Sequence, residues 1–150
     1  MASDELRDAD DAWILPSASR AWQVLGGETA FFIGCVLLTI TIAAGGNMFG
    51  ILGLTFAIGG AFVLLLAYRE VRIESAKRGS EFDGSQARTS WADSGDFLTS
   101  AQLFSRRTHR QAAAMIGAPE ELGVVIAACA LAIGPTLLVG AAVIAFFVRL

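Results

Sequence analysis

Hydrophobic and polar positions in this chain fall into long blocks, with little of the alternation that marks half-buried strands or surface helices. Three apolar runs, residues 29–46, 48–68 and 122–148, contain no Asp, Glu, Lys, Arg or His. A run of about 20 apolar residues crosses the hydrocarbon core as a helix, because only a helix or a closed barrel satisfies its own backbone groups where water is absent. The pattern predicts an all-α membrane protein with three transmembrane helices, a helical hairpin followed by a third, Pro-kinked span, together with short amphipathic cytoplasmic helices.

The connection Gly45-Gly46-Asn47 suits a tight turn, since Gly and Asn tolerate positive φ and end one helix before the next begins. Spans one and two are therefore expected to form an antiparallel hairpin over residues 29–68. The third run has 27 residues, about 40 Å of helix against a hydrocarbon core of about 30 Å. It must tilt, kink or project. Gly134-Pro135 near its middle supplies a kink, because proline lacks one backbone donor and clashes with the preceding turn.

The polar segments divide the rest of the chain. Residues 1–28 read as an acidic segment carrying an interfacial amphipathic helix, in which Trp13 and Trp22 lie at the headgroups. Its acidic start lacks the basic n-region of a secretory signal, so no cleavable signal is expected. Residues 69–121 read as a cytoplasmic loop in three parts: a helical extension of span two, a flexible Gly/Ser/Asp-rich linker and a basic amphipathic helix. That last helix is expected from Asp96, its N-cap, to Gly117. Phe97, Ala101, Phe104, Ala112 and Met115 share one side of it, with Gln102, Arg106, His109 and Arg110 turned away. His109, amid arginines, reads as a solvated side chain. Pro119, Glu120 and Glu121 open span three, with both carboxylates at the positive end of the helix dipole. Glu28, just before span one, takes the same explanation.

Charge adds an orientation. Eight basic residues near span ends, Arg20, Arg69, Arg72, Lys77, Arg78, Arg106, Arg107 and Arg110, lie on one side, and Arg149 alone on the other. The positive-inside rule then places the N-terminus and loop 69–121 in the cytoplasm and the C-terminus outside a cell membrane. Arg106, Arg107 and Arg110, like the two tryptophans, are candidates for contact with lipid headgroups or a partner.

Small residues recur along the spans at intervals of three and four. Gly46, Gly50, Gly53, Ala57 and Gly60 in span two, Gly123, Ala127, Ala130 and Gly134 in span three, and Gly34 in span one form candidate helix-packing faces. In lipid such faces let backbones approach and associate by packing. They fit packing within the chain and also a homo-oligomer or a larger membrane complex.

Several function classes are disfavoured. Ion or proton transport usually leaves ionisable residues within spans, and, apart from Thr29 and Tyr68 at their ends, the polar side chains of the runs are Thr39, Thr41, Thr55, Thr136 and the thiols of Cys35 and Cys129. Those cysteines read as free thiols packed as small apolar groups. There is no Ser/His/Asp set, no HExxH, no phosphate-cradling loop and a single histidine, so no catalytic residue, metal ligand or cofactor is expected. Residues 69–121 carry eight acids and eight bases, too little basic excess for nucleic acid. The expectation is a non-catalytic multi-pass membrane protein, an accessory or scaffold subunit whose partners are the bilayer, anionic lipids and other membrane subunits. The alternative is an oligomeric channel or small-solute permease subunit.

Overall fold

The computed structural model describes residues 18–82 and 104–149. These are helical apart from short turns: α1 (Ala18–Ala44), α2 (Asn47–Phe82), α3 (Arg106–Met115), α4 (Glu120–Ala128), a π-helical turn (Cys129–Ile133) and α5 (Gly134–Arg149). Three stretches are long and apolar enough to cross a membrane: Ala18–Ala44, Asn47–Glu70 and Glu120–Val148. The third is α4, the π turn and α5 in sequence.

α1 is the central element, packed along α2 and against α3, α4, the π turn and α5. The hairpin bend is made by Gly45 at φ +75° and Gly46 at φ +124°. Both values lie in the region that L side chains rarely adopt, and Gly45 donates its N–H back to the Thr41 carbonyl at 3.0 Å.

α1 and α2 approach so closely that glycine is required at their crossing. A Cβ on Gly34 would lie 2.4 Å from the Ala57 backbone nitrogen, and one on Gly60 would lie 2.5 Å from that of Phe31. One on Gly53 would meet Leu38 Cγ at 2.9 Å, and one on Gly27 would meet Leu64 Cγ at 3.1 Å. Gly50 is looser, with Thr41 Cγ2 at 3.2 Å. Gly46, expected in the same packing stripe, stands apart from it: it is exposed in the bend and its nearest outside contact is Phe49 Cδ2 at 3.6 Å. Its positive φ takes it out of the helix and off the packed face.

Two boundaries differ from the sequence expectation. The first helix begins at Ala18 and runs unbroken through Gly26-Gly27, so residues 18–28 are its opening turns and no separate interfacial helix precedes it within the described residues. Gly27 is held by α2, which offsets the helix-weakening effect of a glycine pair. In the third span the backbone responds to Pro135 with a widened turn: the Gly134 N–H bonds to the Cys129 carbonyl, five residues back. A proline at 135 cannot donate to residue 131 and its ring crowds that carbonyl, and a π turn just ahead of it relieves the conflict. Gly134 packs beside α1, where an added Cβ would sit 3.1 Å from Phe32 Cδ2 and 3.2 Å from Cys35 Cβ. Cys35 and Cys129 are free thiols.

The hydroxyls of Thr29, Thr39, Thr41 and Thr55 each bond to the carbonyl four residues earlier, at 2.7, 2.8, 2.9 and 2.9 Å. Such back-bonding settles a hydroxyl inside an apolar environment without a partner from another helix.

Candidate functional site

The buried core of the described residues lies at one end of the bundle, where α3 docks. Ala21, Val24 and Leu25 of α1, Ala67 of α2 and Ala112 and Ala113 of α3 form it, flanked by Tyr68, Ile116, Ala118 and Ile126. The small size of Ala67, Ala112 and Ala113 lets three backbones converge there.

α3 is placed by both of its ends. Ser105 caps its start in an extended conformation, its Oγ accepting the Thr108 N–H at 3.2 Å. Its end is a Schellman turn: the Ala118 N–H bonds to the Ala113 carbonyl at 2.9 Å and the Gly117 N–H to that of Ala114 at 3.1 Å, with Gly117 at φ +75°. The turn reverses the chain into α4, where Pro119 precedes the first helical turn and Glu120 and Glu121 lie within it. The expected N-cap, Asp96, and Trp13 lie outside the described residues.

Within this docked assembly stands a carboxylate–imidazole pair. His109 Nε2 and Glu28 Oε1 are 2.6 Å apart, and both side chains are 0% exposed. The His109 Nδ1–H donates to the Ser105 carbonyl at 2.8 Å, which fixes the ring's orientation. With Nδ1 a donor, the short contact at Nε2 holds one proton between imidazole and carboxylate, either as imidazolium and carboxylate or as two neutral groups. Burial works against the charged ring, but the hydrogen bond from Glu28, its negative charge and the Ser105 carbonyl together outweigh it and hold the His109 pKa above its ordinary value. Glu28 Oε2 is buried without a hydrogen-bond partner, as is Gln23 Oε1.

These positions correct two sequence expectations. His109 is fully buried rather than solvated, so the docked face of α3 is Thr108, His109, Ala112 and Ala113, rotated from the face that carries Phe104 and Met115. Glu28 is not at a helix start: α1 begins ten residues before it, too far for the helix dipole to account for the carboxylate. Its partner is the histidine. The first candidate span therefore contains an ionisable residue inside the bundle.

Gly123 makes the docking possible, since a Cβ there would lie 2.0 Å from the His109 carbonyl oxygen and 3.2 Å from Ala113 Cβ. The sequence pattern predicts a glycine packed between spans, and its neighbour in the structure is α3. Of the other span-three positions, Ala130 is fully buried and Ala127 half-buried. Arg106, Arg107 and Arg110 are exposed on α3, and Trp22 is 61% exposed on α1. Nearby, Arg20 of α1 and Glu70 of α2 form an ion pair whose side chains are 19% and 45% exposed.

Among the described residues no group of three or more His, Cys, Asp or Glu side chains is placed to hold a metal ion. No family model, curated protein or solved structure matches this chain.

Proposed function

We propose that this chain is a non-catalytic multi-pass integral membrane protein, an accessory or scaffold subunit of the cell membrane. In this reading the N-terminus and loop 69–121 face the cytoplasm, the C-terminus faces outward, and the close helix approaches at Gly34, Gly53 and Gly60 make the bundle rigid. The observation that carries the reading is the Glu28–His109 pair. It locks a short, arginine-bearing cytoplasmic helix against the membrane bundle in one fixed pose. A pair buried at 0% exposure, with both imidazole nitrogens and one carboxylate oxygen engaged, is suited to holding that helix, and the hydroxyls of Thr29, Thr39, Thr41 and Thr55 are bonded to their own helices. A rigid membrane anchor presenting a charged surface is what an assembly subunit needs.

A channel or small-solute permease subunit is the second reading, and one observation favours it. Glu28 Oε2 has spare acceptor capacity inside a candidate span, and intramembrane carboxylates mark ion paths elsewhere.

Two measurements separate these readings. Purified protein alone in liposomes should pass no ions or small solutes, and the protein extracted from native membrane in mild detergent should migrate as a larger complex of fixed stoichiometry. Flux from the purified protein that disappears in Glu28→Gln would replace the scaffold reading with the channel.

A further inference from the structure

We infer that Arg106, Arg107 and Arg110 form a binding face for the phosphate of an anionic lipid in the cytoplasmic leaflet. The inference rests on the membrane placement proposed above and adds a ligand to it.

The arginines stand where α3 itself is worst served by them. They occupy its first turn and a half, next to the positive end of the helix dipole, and the helix contains no acidic residue. Arg106 and Arg110 are four apart and Arg107 and Arg110 three apart, so the three like charges share one patch and repel. The other side of the helix is fixed by Thr108, His109, Ala112 and Ala113, so the patch cannot rotate away. An external phosphate over this exposed patch can reach guanidinium groups of all three side chains.

The depth of α3 selects the anion. His109 is bonded to Glu28, the last ionisable residue before the uncharged run of α1 begins at Thr29. Trp22, 61% exposed and six residues earlier on α1, lies about 9 Å further toward the cytoplasm, in the zone that interfacial tryptophans occupy. α3 therefore lies at the boundary between acyl chains and headgroups. Long arginine side chains reach the phosphates from there, and a guanidinium matches a phosphate with paired hydrogen bonds.

The test uses the full chain in a neutral maltoside detergent, with thermal melting followed as phosphatidylglycerol or phosphatidylcholine is added. Phosphatidylglycerol should raise the wild-type midpoint by roughly 3 °C or more, and the rise should shrink between low and high salt. Phosphatidylcholine should do neither. The triple variant Arg106→Gln/Arg107→Gln/Arg110→Gln should lose most of the lipid-dependent rise measured against its own lipid-free midpoint. Arg69→Gln should keep it. Should the triple variant fail to fold, Arg110→Gln alone should show a reduced rise. Equal response to both lipids, or an equal response to inorganic phosphate, would overturn the assignment. So would stabilisation by polyglutamate with phosphatidylglycerol inert, which would mark an acidic polypeptide as the occupant. Failure of the membrane placement itself reads out separately, as release of the protein from native membranes by alkaline carbonate.

Discussion

Gly123 stands directly against the backbone of His109: a Cβ at 123 would lie 2.0 Å from the His109 carbonyl oxygen and 2.7 Å from its carbonyl carbon. The obstacle is main chain, which cannot swing aside as a flexible side chain can. Gly123→Ala should therefore push α3 off α4 and cost about 2 kcal/mol or more, at the upper end of overpacking effects. Thermal stability in detergent, with amide exchange across residues 106–115, checks this. Unchanged protection of α3 would show that the close approach is absent in the protein.

The hairpin offers a comparison between neighbours. Gly60 faces α1 with the Phe31 nitrogen and the Gly27 oxygen within 2.6 Å of a built Cβ, whereas a Cβ on Gly59 would meet nothing within 4 Å. Gly60→Ala should lower stability by about 2 kcal/mol or more. Gly59→Ala should be neutral or stabilise by up to about 1 kcal/mol, because alanine is the better helix former. Melting of the two variants side by side decides it, and equal losses would dissolve the crossing.

Two acidic residues on the same assembly should behave differently. Glu70 pairs with Arg20 through side chains that remain 45% and 19% exposed, and exposed pairs contribute about 1 kcal/mol or less. Glu28 pairs with His109 at 0% exposure, and removing one partner of a buried pair costs about 3–5 kcal/mol because the other is left uncompensated. Glu70→Ala should scarcely move the denaturation midpoint, and Glu28→Ala should move it strongly.

Stability should also depend on pH, in a direction set by His109. Its pKa in the fold is raised from an ordinary value near 6.5, so the folded state holds the proton more tightly than the unfolded chain. The resulting stabilisation is fully present below about 6.5 and is lost as pH rises through the folded value. Melting temperature should fall as pH rises above about 6.5 in the wild type. Glu28→Gln keeps a neutral hydrogen bond to the ring but lacks the charge that holds the proton, and it should flatten this slope. A slope unchanged in Glu28→Gln would assign the pH dependence to other groups.

The parts of this fold that local chemistry decides were legible in the sequence. Length and apolarity marked three stretches able to span a bilayer, and Gly45-Gly46 marked the bend because no other residue type fits two successive positive φ values so readily. Pro135 marked a disturbance in the third span, though not that a π turn would absorb it. Glu28 and His109 could not be paired from local pattern, since 81 residues separate them. Their environments even pointed the wrong way, one residue at the edge of an apolar run and the other among arginines. A usable signal was present in the single histidine, which shares a helical face with Ala112, Ala113 and Ile116, three positions suited to close packing. A polar residue on such a face needs a buried partner, and Glu28 is the acid nearest the start of the first uncharged run.

The central claim is that Glu28 and His109 together clamp α3 to the membrane bundle. A double-mutant cycle on the purified protein tests it most directly, comparing Glu28→Ala, His109→Ala and the double variant by denaturant or thermal unfolding. The account predicts strong coupling, with the double variant little worse than either single one and an interaction energy close to the loss in one single variant, about 3 kcal/mol or more. Additive losses, with coupling within about 0.5 kcal/mol of zero, would show that the two side chains do not act on each other and would contradict it.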